Sequence, residues 1–166
     1  MSIDPTGEPN VVDSSSIEDR LKARLQSKMS QRSETLPVLG YESIFAARYR
    51  ALTFEEMRRI GKRNAKERDD DVKALNVAAD TLVAACEEVF EVLPDGSYRS
   101  LEHPWSVALA NRLGVGGETI TTARRALMAI IGADHFDVMN NLEQYAEWRN
   151  EEVVDTASEE AEDFLR

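Results

Sequence analysis

Residues 70–93 read DDVKALNVAADTLVAACEEVFEVL, and the spacing of their apolar side chains is the strongest structural signal in the chain. These side chains recur at alternating steps of three and four residues, the heptad pattern of a helix with one apolar side. The pattern predicts a single helix over the whole stretch, packed along this apolar seam against other helices. The seam consists of Val72, Leu75, Ala79, Leu82, Cys86, Val89 and Leu93.

The predicted seam helix ends in a turn sequence. Leu93 is followed by Pro94, Asp95 and Gly96, which suit a type I turn closed by a glycine. We expect short extended arms on both sides of this turn. Cys86 is the one cysteine of the chain and lies on the seam. It is therefore predicted to be a buried packing residue, neither a nucleophile nor half of an internal disulfide.

The N-terminal part predicts little fixed structure. Residues 1–15 are rich in proline, glycine and serine, which predicts a disordered arm. Residues 17–29 follow as a short amphipathic helix on which Leu21 and Leu25 share the apolar side. A helix of this length is marginal alone in water, so it becomes ordered on a partner or is a frayed linker. Residues 1–34 are thus predicted to be a flexible arm, with Leu21 and Leu25 as candidate interaction residues.

Residues 35–52 change in character. They hold β-branched and aromatic residues around a turn region, so two short strands are predicted, with Pro37 confining the first strand to a sheet edge. The second of these segments is equally compatible with a helical turn.

A basic helix follows. Thr53 and Glu56 form the capping-box pattern that begins a helix. Residues 48–68 contain eight basic and three acidic residues, a local excess of positive charge in an acidic protein. We expect this helix to meet acidic protein surface, the chain's own acidic C-terminal segment included. Its candidate interaction residues are Arg58, Arg59, Lys62 and Arg63.

Three further helices are predicted, beginning near Pro104, near Thr119 and after Asp134, with Trp105 and Trp148 as core anchors. Residues 151–166 then hold seven carboxylates and one arginine, which predicts a flexible acidic tail. The predicted fold is mainly α. A compact bundle of about five helices, with a short β-hairpin or extended element, spans residues 35–150 between the arm and the tail.

The charge balance excludes some classes of function. Among 166 residues, 31 are acidic and 20 are basic, a net charge of −11. Such a chain is not expected to bind nucleic acid without sequence preference, nor to adhere to anionic lipid. The sequence has neither a long apolar run nor a secretory signal, so we expect a protein kept in a reducing cytoplasm and away from membranes.

Candidate catalytic and metal-binding residues are few. His103, beside a proline, and His135, at a predicted helix start, belong to no metal-ligand pattern. The glycine cluster at 114–117 lacks the lysine of a phosphate-binding loop, and the aspartates at 69–71 are explained by a helix N-terminus. We therefore predict no catalytic residues, no metal site and no cofactor. The residues favour an interaction or scaffold protein, not an enzyme.

The order of local motifs resembles one protein family. ARYRALTFEEM at 47–57 is followed by the basic helix, by DTLVAACEEVF at 80–90 and by LPDGSY at 93–98. LANRLGV, TARRAL, Trp148 and an acidic tail complete the order. This layout resembles the tail assembly chaperones of long-tailed, non-contractile bacteriophages and prophages, especially those of actinobacterial hosts. The resemblance covers roughly residues 35–150.

The resemblance implies a small, mostly helical, non-enzymatic protein of the host cytoplasm that is absent from the mature virion. Such chaperones bind the tape measure protein and help to recruit tail tube protein, and many are also made as a longer frameshifted product. The family has no catalytic residues and no fixed binding motif to transfer. A structural head–tail connector or minor tail protein is the alternative, followed by a DNA-binding regulator that uses the basic helix. Self-association through the seam is the alternative to its burial within one chain.

Overall fold

The sheet is the main difference from the predicted architecture. The computed structural model describes residues 16–165, and the side chains of residues 16–25 and 32–151. Within these residues the chain forms six helices and a four-stranded antiparallel sheet with strand order β1-β2-β3-β4. The fold is therefore mixed α/β, and the prediction of a mainly α bundle is wrong. The elements are α1 (Ile17–Gln31), β1 (Ser33–Pro37), β2 (Phe45–Arg50), α2 (Phe54–Arg63), α3 (Asp70–Ala85), β3 (Cys86–Val92), β4 (Tyr98–Ser100), α4 (Val107–Arg112), α5 (Ala123–Ile131) and α6 (His135–Leu165).

The stretch that predicts one long helix is divided between a helix and a strand. Helix α3 ends at Ala85, and the chain passes directly into β3 at Cys86. The predicted helix over residues 70–93 is therefore wrong in its last third. Val89, Phe90 and Val92 are β-branched or aromatic residues that suit a strand. Pairing with β2 on one side and β4 on the other gives this segment backbone hydrogen bonds that a heptad pattern does not reveal.

A β-bulge keeps the seam on the buried side after the helix has ended. Cys86 and Val89 are three residues apart, and in a regular strand they would point to opposite faces. Glu87 is an extra residue in the pairing: Arg48 lies opposite Glu88, and the next residue of β2 lies opposite Cys86. Because the bulge adds one residue, Cys86 and Val89 share a face, and both are buried in the core.

The seam residues differ in burial along its length. Ala79 and Leu82 on α3 are fully buried, as is Val89 on β3. Leu75 and Leu93 are half-buried, and Val72, in the first turn of α3, is 41% exposed. The central part of the seam therefore packs inside its own chain, and its first residue lies at the surface.

The segments whose structure the sequence left open are strands. Residues 33–37 and 45–50 pair as β1 and β2, and β1 lies at the edge of the sheet with Pro37 at its end. The turn after β3 is also present. Gly96 has a φ of +81°, and its amide donates a hydrogen bond to the carbonyl of Leu93 at 2.8 Å. Glycine suits this position because it adopts the left-handed region without a steric penalty.

The predicted capping box at the start of α2 is confirmed. The amide of Glu56 donates to Thr53 Oγ1 at 3.2 Å, and the amide of Thr53 donates to Glu56 Oε2 at 2.8 Å. Arg50 forms an ion pair with the same carboxylate, because its Nη2 lies 2.7 Å from Glu56 Oε1. The box therefore also connects the end of β2 to the helix that follows it.

Helix α6 holds the connection between β2 and α2. The Tyr145 hydroxyl donates to the carbonyl of Arg50 and accepts from the amide of Leu52, both at 2.9 Å. Arg149 Nε donates to the carbonyl of Leu52 at 2.8 Å. The helix then continues without a break past residue 150, where the sequence predicts the end of the domain. The predicted arm of residues 1–15 lies outside the described residues.

Replacing two of the glycines by alanine is expected to change stability in opposite directions. Gly40 has a φ of +86°, and an added Cβ would lie 2.6 Å from the carboxylate carbon of Asp137. We expect Gly40→Ala to lower the free energy of unfolding by about 1–2 kcal/mol. Gly61, inside α2, has open space around it, so Gly61→Ala should raise that free energy by about 0.5–1 kcal/mol. Urea titration measures both, and a Gly40→Ala variant as stable as the wild type would contradict the strain argument.

Candidate interaction surface

The sheet has one face in the core; the other, which we call the open face, carries partly exposed side chains around the buried Ala46. Successive side chains of a strand alternate between the two faces. Ala47 and Tyr49 of β2 are buried in the core, so Ile44 and Arg48 lie on the opposite face. The cross-strand register carries this assignment to the neighbouring strands.

Apolar side chains cross the open face from β2 to β4. We call this set the apolar stripe; it consists of Ile44, Phe90, Val92 and Tyr98. Val92 lies opposite Tyr98 and donates its amide to the carbonyl of Ile44 at 2.9 Å. The rings of Phe90 and Tyr98 are 6.0 Å apart. Ile44 is 49% exposed, Tyr98 is 50% exposed, and Phe90 and Val92 are half-buried, so the two ends of the stripe are in contact with water.

Charged residues border the stripe. The Arg48 guanidinium lies 5.6 Å from the centre of the Phe90 ring, a cation–π arrangement. Its Nε and Nη2 each lie 3.0 Å from a carboxylate oxygen, of Glu87 and of Glu88 respectively. The Ser33 hydroxyl donates to Glu87 at 2.7 Å. These bonds fix the arginine beside the ring, so the stripe has a polar rim with defined positions.

Helix α1 also exposes apolar side chains. The structure places the candidate residues Leu21 and Leu25 on this helix, which packs against β2. Ile17 is 81% exposed, Leu21 is 51% exposed, and Leu25 is half-buried. The apolar side of residues 17–25 of α1 is therefore only partly covered by the chain.

The basic candidate residues lie on a different helix. Arg58, Arg59, Lys62 and Arg63 of α2 are all exposed. Arg59 Nε lies 3.5 Å from a carboxylate oxygen of Glu55, one helical turn earlier. Such exposed pairs contribute little stability, so these cations remain available to a partner. The two sets of predicted candidate residues thus belong to separate surfaces.

Sequence reasoning did not find the stripe. Phe90 and Val92 alternate with Glu91, the period-two pattern of a strand with one face in water, but the heptad pattern conceals it. Tyr98 follows the predicted turn and carries no signal of its own. The stripe becomes visible only when the pairing of β3 with β2 and β4 is known.

A buried polar cluster connects three helices. Asp80 of α3 is only 6% exposed and accepts hydrogen bonds from Arg124 Nε at 2.7 Å and from Asn64 Nδ2 at 3.0 Å. Arg124 Nη2 also donates to Asn64 Oδ1 at 3.0 Å. Burial alone would raise the pKa of Asp80, but the hydrogen bonds from Arg124 and Asn64 outweigh it and the pKa is lowered. The three side chains satisfy each other's hydrogen-bonding groups. The cluster therefore fixes the relative positions of α2, α3 and α5.

The thiol of Cys86 is held in its protonated form. Burial raises the pKa of this group to about 12, which leaves almost no thiolate at neutral pH. Within the residues that the structure describes, no three His, Cys, Asp or Glu side chains are grouped as metal ligands.

Among the described residues, none of the helices has the length and apolar character needed to cross a membrane. Comparison of the chain with protein-family models, with curated proteins and with solved structures found no match.

Proposed function

We propose that this protein is a phage tail assembly chaperone that binds the tape measure protein by non-covalent contacts and helps to recruit tail tube subunits. Two things support the proposal: the resemblance of its motif order to that family, and the exposed apolar surface described above. The observation that carries it is the apolar stripe with its charged rim. Exposed apolar patches rimmed by polar groups are typical of protein-binding sites.

The dimensions of the stripe suit a helical client. It crosses three strands, and neighbouring strands are about 4.8 Å apart, so its width is about 10 Å. An α-helix with its side chains is about 10 Å in diameter. An amphipathic client helix that runs parallel to the strands can therefore cover the stripe, with its apolar side on Phe90 and Tyr98 and its polar side towards Arg48 and Glu88.

Co-expression with the tape measure protein of the same phage tests the proposal. The wild-type chain should keep that protein in the soluble fraction and elute with it from a sizing column. The variant Ile44→Asp/Tyr98→Asp places two charges on the stripe. We expect it to weaken the complex by roughly tenfold or more, since central interface side chains contribute about 1–2 kcal/mol each.

Phe136→Asp is the matched control. Phe136 is 74% exposed in the first turn of α6 and is not part of the stripe, so its replacement should leave the complex intact. An unchanged complex with the stripe variant, or a tape measure protein that stays insoluble with the wild-type chain, would refute the proposal. Mass spectrometry of purified virions gives a second test. The chain should be absent from them, and its presence would favour a connector or minor tail protein.

A further inference from the structure

Helix α2 has an outer face that the rest of the chain leaves uncovered. Its inner side is formed by Glu56, Ile60 and Asn64, each of which contacts β2 or the core. The opposite side combines apolar and basic groups. Its apolar group is Phe54, which is 75% exposed. We call this side the outer face of α2; it consists of Phe54, Glu55, Arg58, Arg59 and Lys62.

The last part of α6 has the complementary chemistry. Residues 151–165 continue the helix, and their sequence holds seven carboxylates and no basic residue. Apolar residues recur at positions 154, 157, 161 and 164, the spacing that forms one side of a helix. At 1.5 Å per residue this segment is about 22 Å long, enough to cover the ten-residue α2 of about 15 Å. It therefore offers an acidic amphipathic helix to a basic amphipathic one.

Phe54 stays exposed although α6 passes beside it. Tyr145 and Arg149 fix the direction of α6 through their hydrogen bonds to the chain just before α2. The helix then runs on unbroken to Leu165, and Phe54 is three-quarters exposed.

From these observations we propose that two copies of this chain form a dimer in which the acidic segment of each copy, residues 151–165, packs on the outer face of α2 of the other. The complementary surfaces begin side by side, because the Arg149 guanidinium lies 5.1 Å from the centre of the Phe54 ring. Neighbouring complementary surfaces favour a closed two-fold dimer, since one rotation axis satisfies both contacts. The attraction between the charges is exposed to water and is screened by salt.

Sedimentation equilibrium of the full chain tests the dimer. At about 50 mM salt we expect a reversible monomer–dimer equilibrium that shifts towards monomer at about 500 mM. The variant Arg58→Glu/Lys62→Glu reverses two charges of the outer face and should raise the dimer Kd roughly tenfold or more. Lys22→Glu/Arg24→Glu on α1 makes the same change in net charge and is the control. It should leave the Kd within about twofold.

A charge-swap rescue identifies the contact. The variant Glu159→Lys/Glu160→Lys reverses charges on the acidic segment, and it should also dissociate alone. An equimolar mixture of this variant with Arg58→Glu/Lys62→Glu should dimerise again, because both contacts of the mixed dimer then join opposite charges. A wild-type chain that stays monomeric at low salt would overturn the proposal, as would a dimer unaffected by reversal of α2 or a mixture that fails to associate. None of these variants alters the apolar stripe, so failure of the dimer leaves the chaperone test independent.

Discussion

Replacing Leu82 by aspartate is expected to unfold the domain. Leu82 is fully buried in the middle of α3, within the cluster that joins this helix to the sheet and to α6. Loss of a buried leucine side chain costs about 2–5 kcal/mol, and a carboxylate without a partner in its place adds several more. A domain of this size has a total stability of about 5–15 kcal/mol. Circular dichroism and urea titration should show a largely unfolded chain, or one destabilised by more than about 5 kcal/mol.

Val72→Asp is the matched control, because Val72 belongs to the same seam by sequence. It is 41% exposed in the first turn of α3, where a carboxylate is favoured by the helix dipole. We expect its effect on the free energy of unfolding to stay within about 0.5 kcal/mol. If Leu82→Asp instead gave a folded monomer from a wild-type oligomer, the seam would be an interface between copies and its burial within one chain would be refuted.

The seam shows which features of the fold the local sequence predicts and which it does not. Its helical half, its turn and the capping box of α2 follow from local patterns, because spacing and cap chemistry act within a few residues. The change from α3 to β3 does not. Cys86 and Val89 fit a helix and a bulged strand equally well, and the choice depends on pairing with Phe45–Arg50, some 40 residues earlier. Such non-local pairing cannot be recognised from the spacing of apolar residues within the segment itself.

At Trp105, too, a contact with a distant part of the chain outweighs the local sequence signal. Pro104 is a good first residue for a helix, and the sequence predicts that α4 begins there. In the structure Trp105 is buried, and its Nε1 donates to the hydroxyl of Tyr49 at 3.1 Å. This contact belongs to a segment that is not yet helical, and Ser106 caps the helix instead, accepting from the amide of Leu109 at 3.2 Å. The apolar stripe was missed for the same reason, since it is assembled from three strands.

Replacing Asp80 is expected to have the second large effect. Its carboxylate connects Asn64, the C-terminal cap of α2, with Arg124 in the first turn of α5. Asp80→Ala leaves the guanidinium of Arg124 without its carboxylate. Loss of one partner from a buried pair costs about 3–5 kcal/mol. Because the Arg124 side chain is 30% exposed, water can partly replace the carboxylate, so we expect about 2–4 kcal/mol.

Arg63→Ala is the control for this cluster. Arg63 Nη1 is 3.9 Å from the same carboxylate, but its side chain is 63% exposed. Its removal should cost less than about 0.5 kcal/mol, as for other exposed ion pairs. Equal losses for Asp80→Ala and Arg63→Ala, measured by urea titration, would contradict the role assigned to the buried hydrogen bonds.

The pH dependence separates the charge of Asp80 from its shape. Although burial opposes ionisation, the hydrogen bonds from Arg124 and Asn64 lower the pKa of Asp80 in the folded chain below its ordinary value of 3.8. A lowered pKa means that the folded chain releases this proton more readily than the unfolded chain. The resulting stabilisation is complete above the unfolded pKa and is lost as the pH falls through the folded pKa.

Asp80→Asn keeps the shape of the side chain and cannot ionise, so it isolates this contribution. The difference in unfolding free energy between the wild type and Asp80→Asn should be constant above about pH 5 and should shrink as the pH falls below about 4. A difference that does not change across this range would mean that Asp80 acts through its hydrogen-bond geometry alone. The same titration of Arg63→Ala should run nearly parallel to the wild type, because Arg63 is the smallest of the causes that lower the pKa of Asp80. If the ionised Asp80 is stabilised by Arg124 and Asn64, the unfolding free energies of the wild type and Asp80→Asn approach each other in acid. Those of the wild type and Arg63→Ala do not.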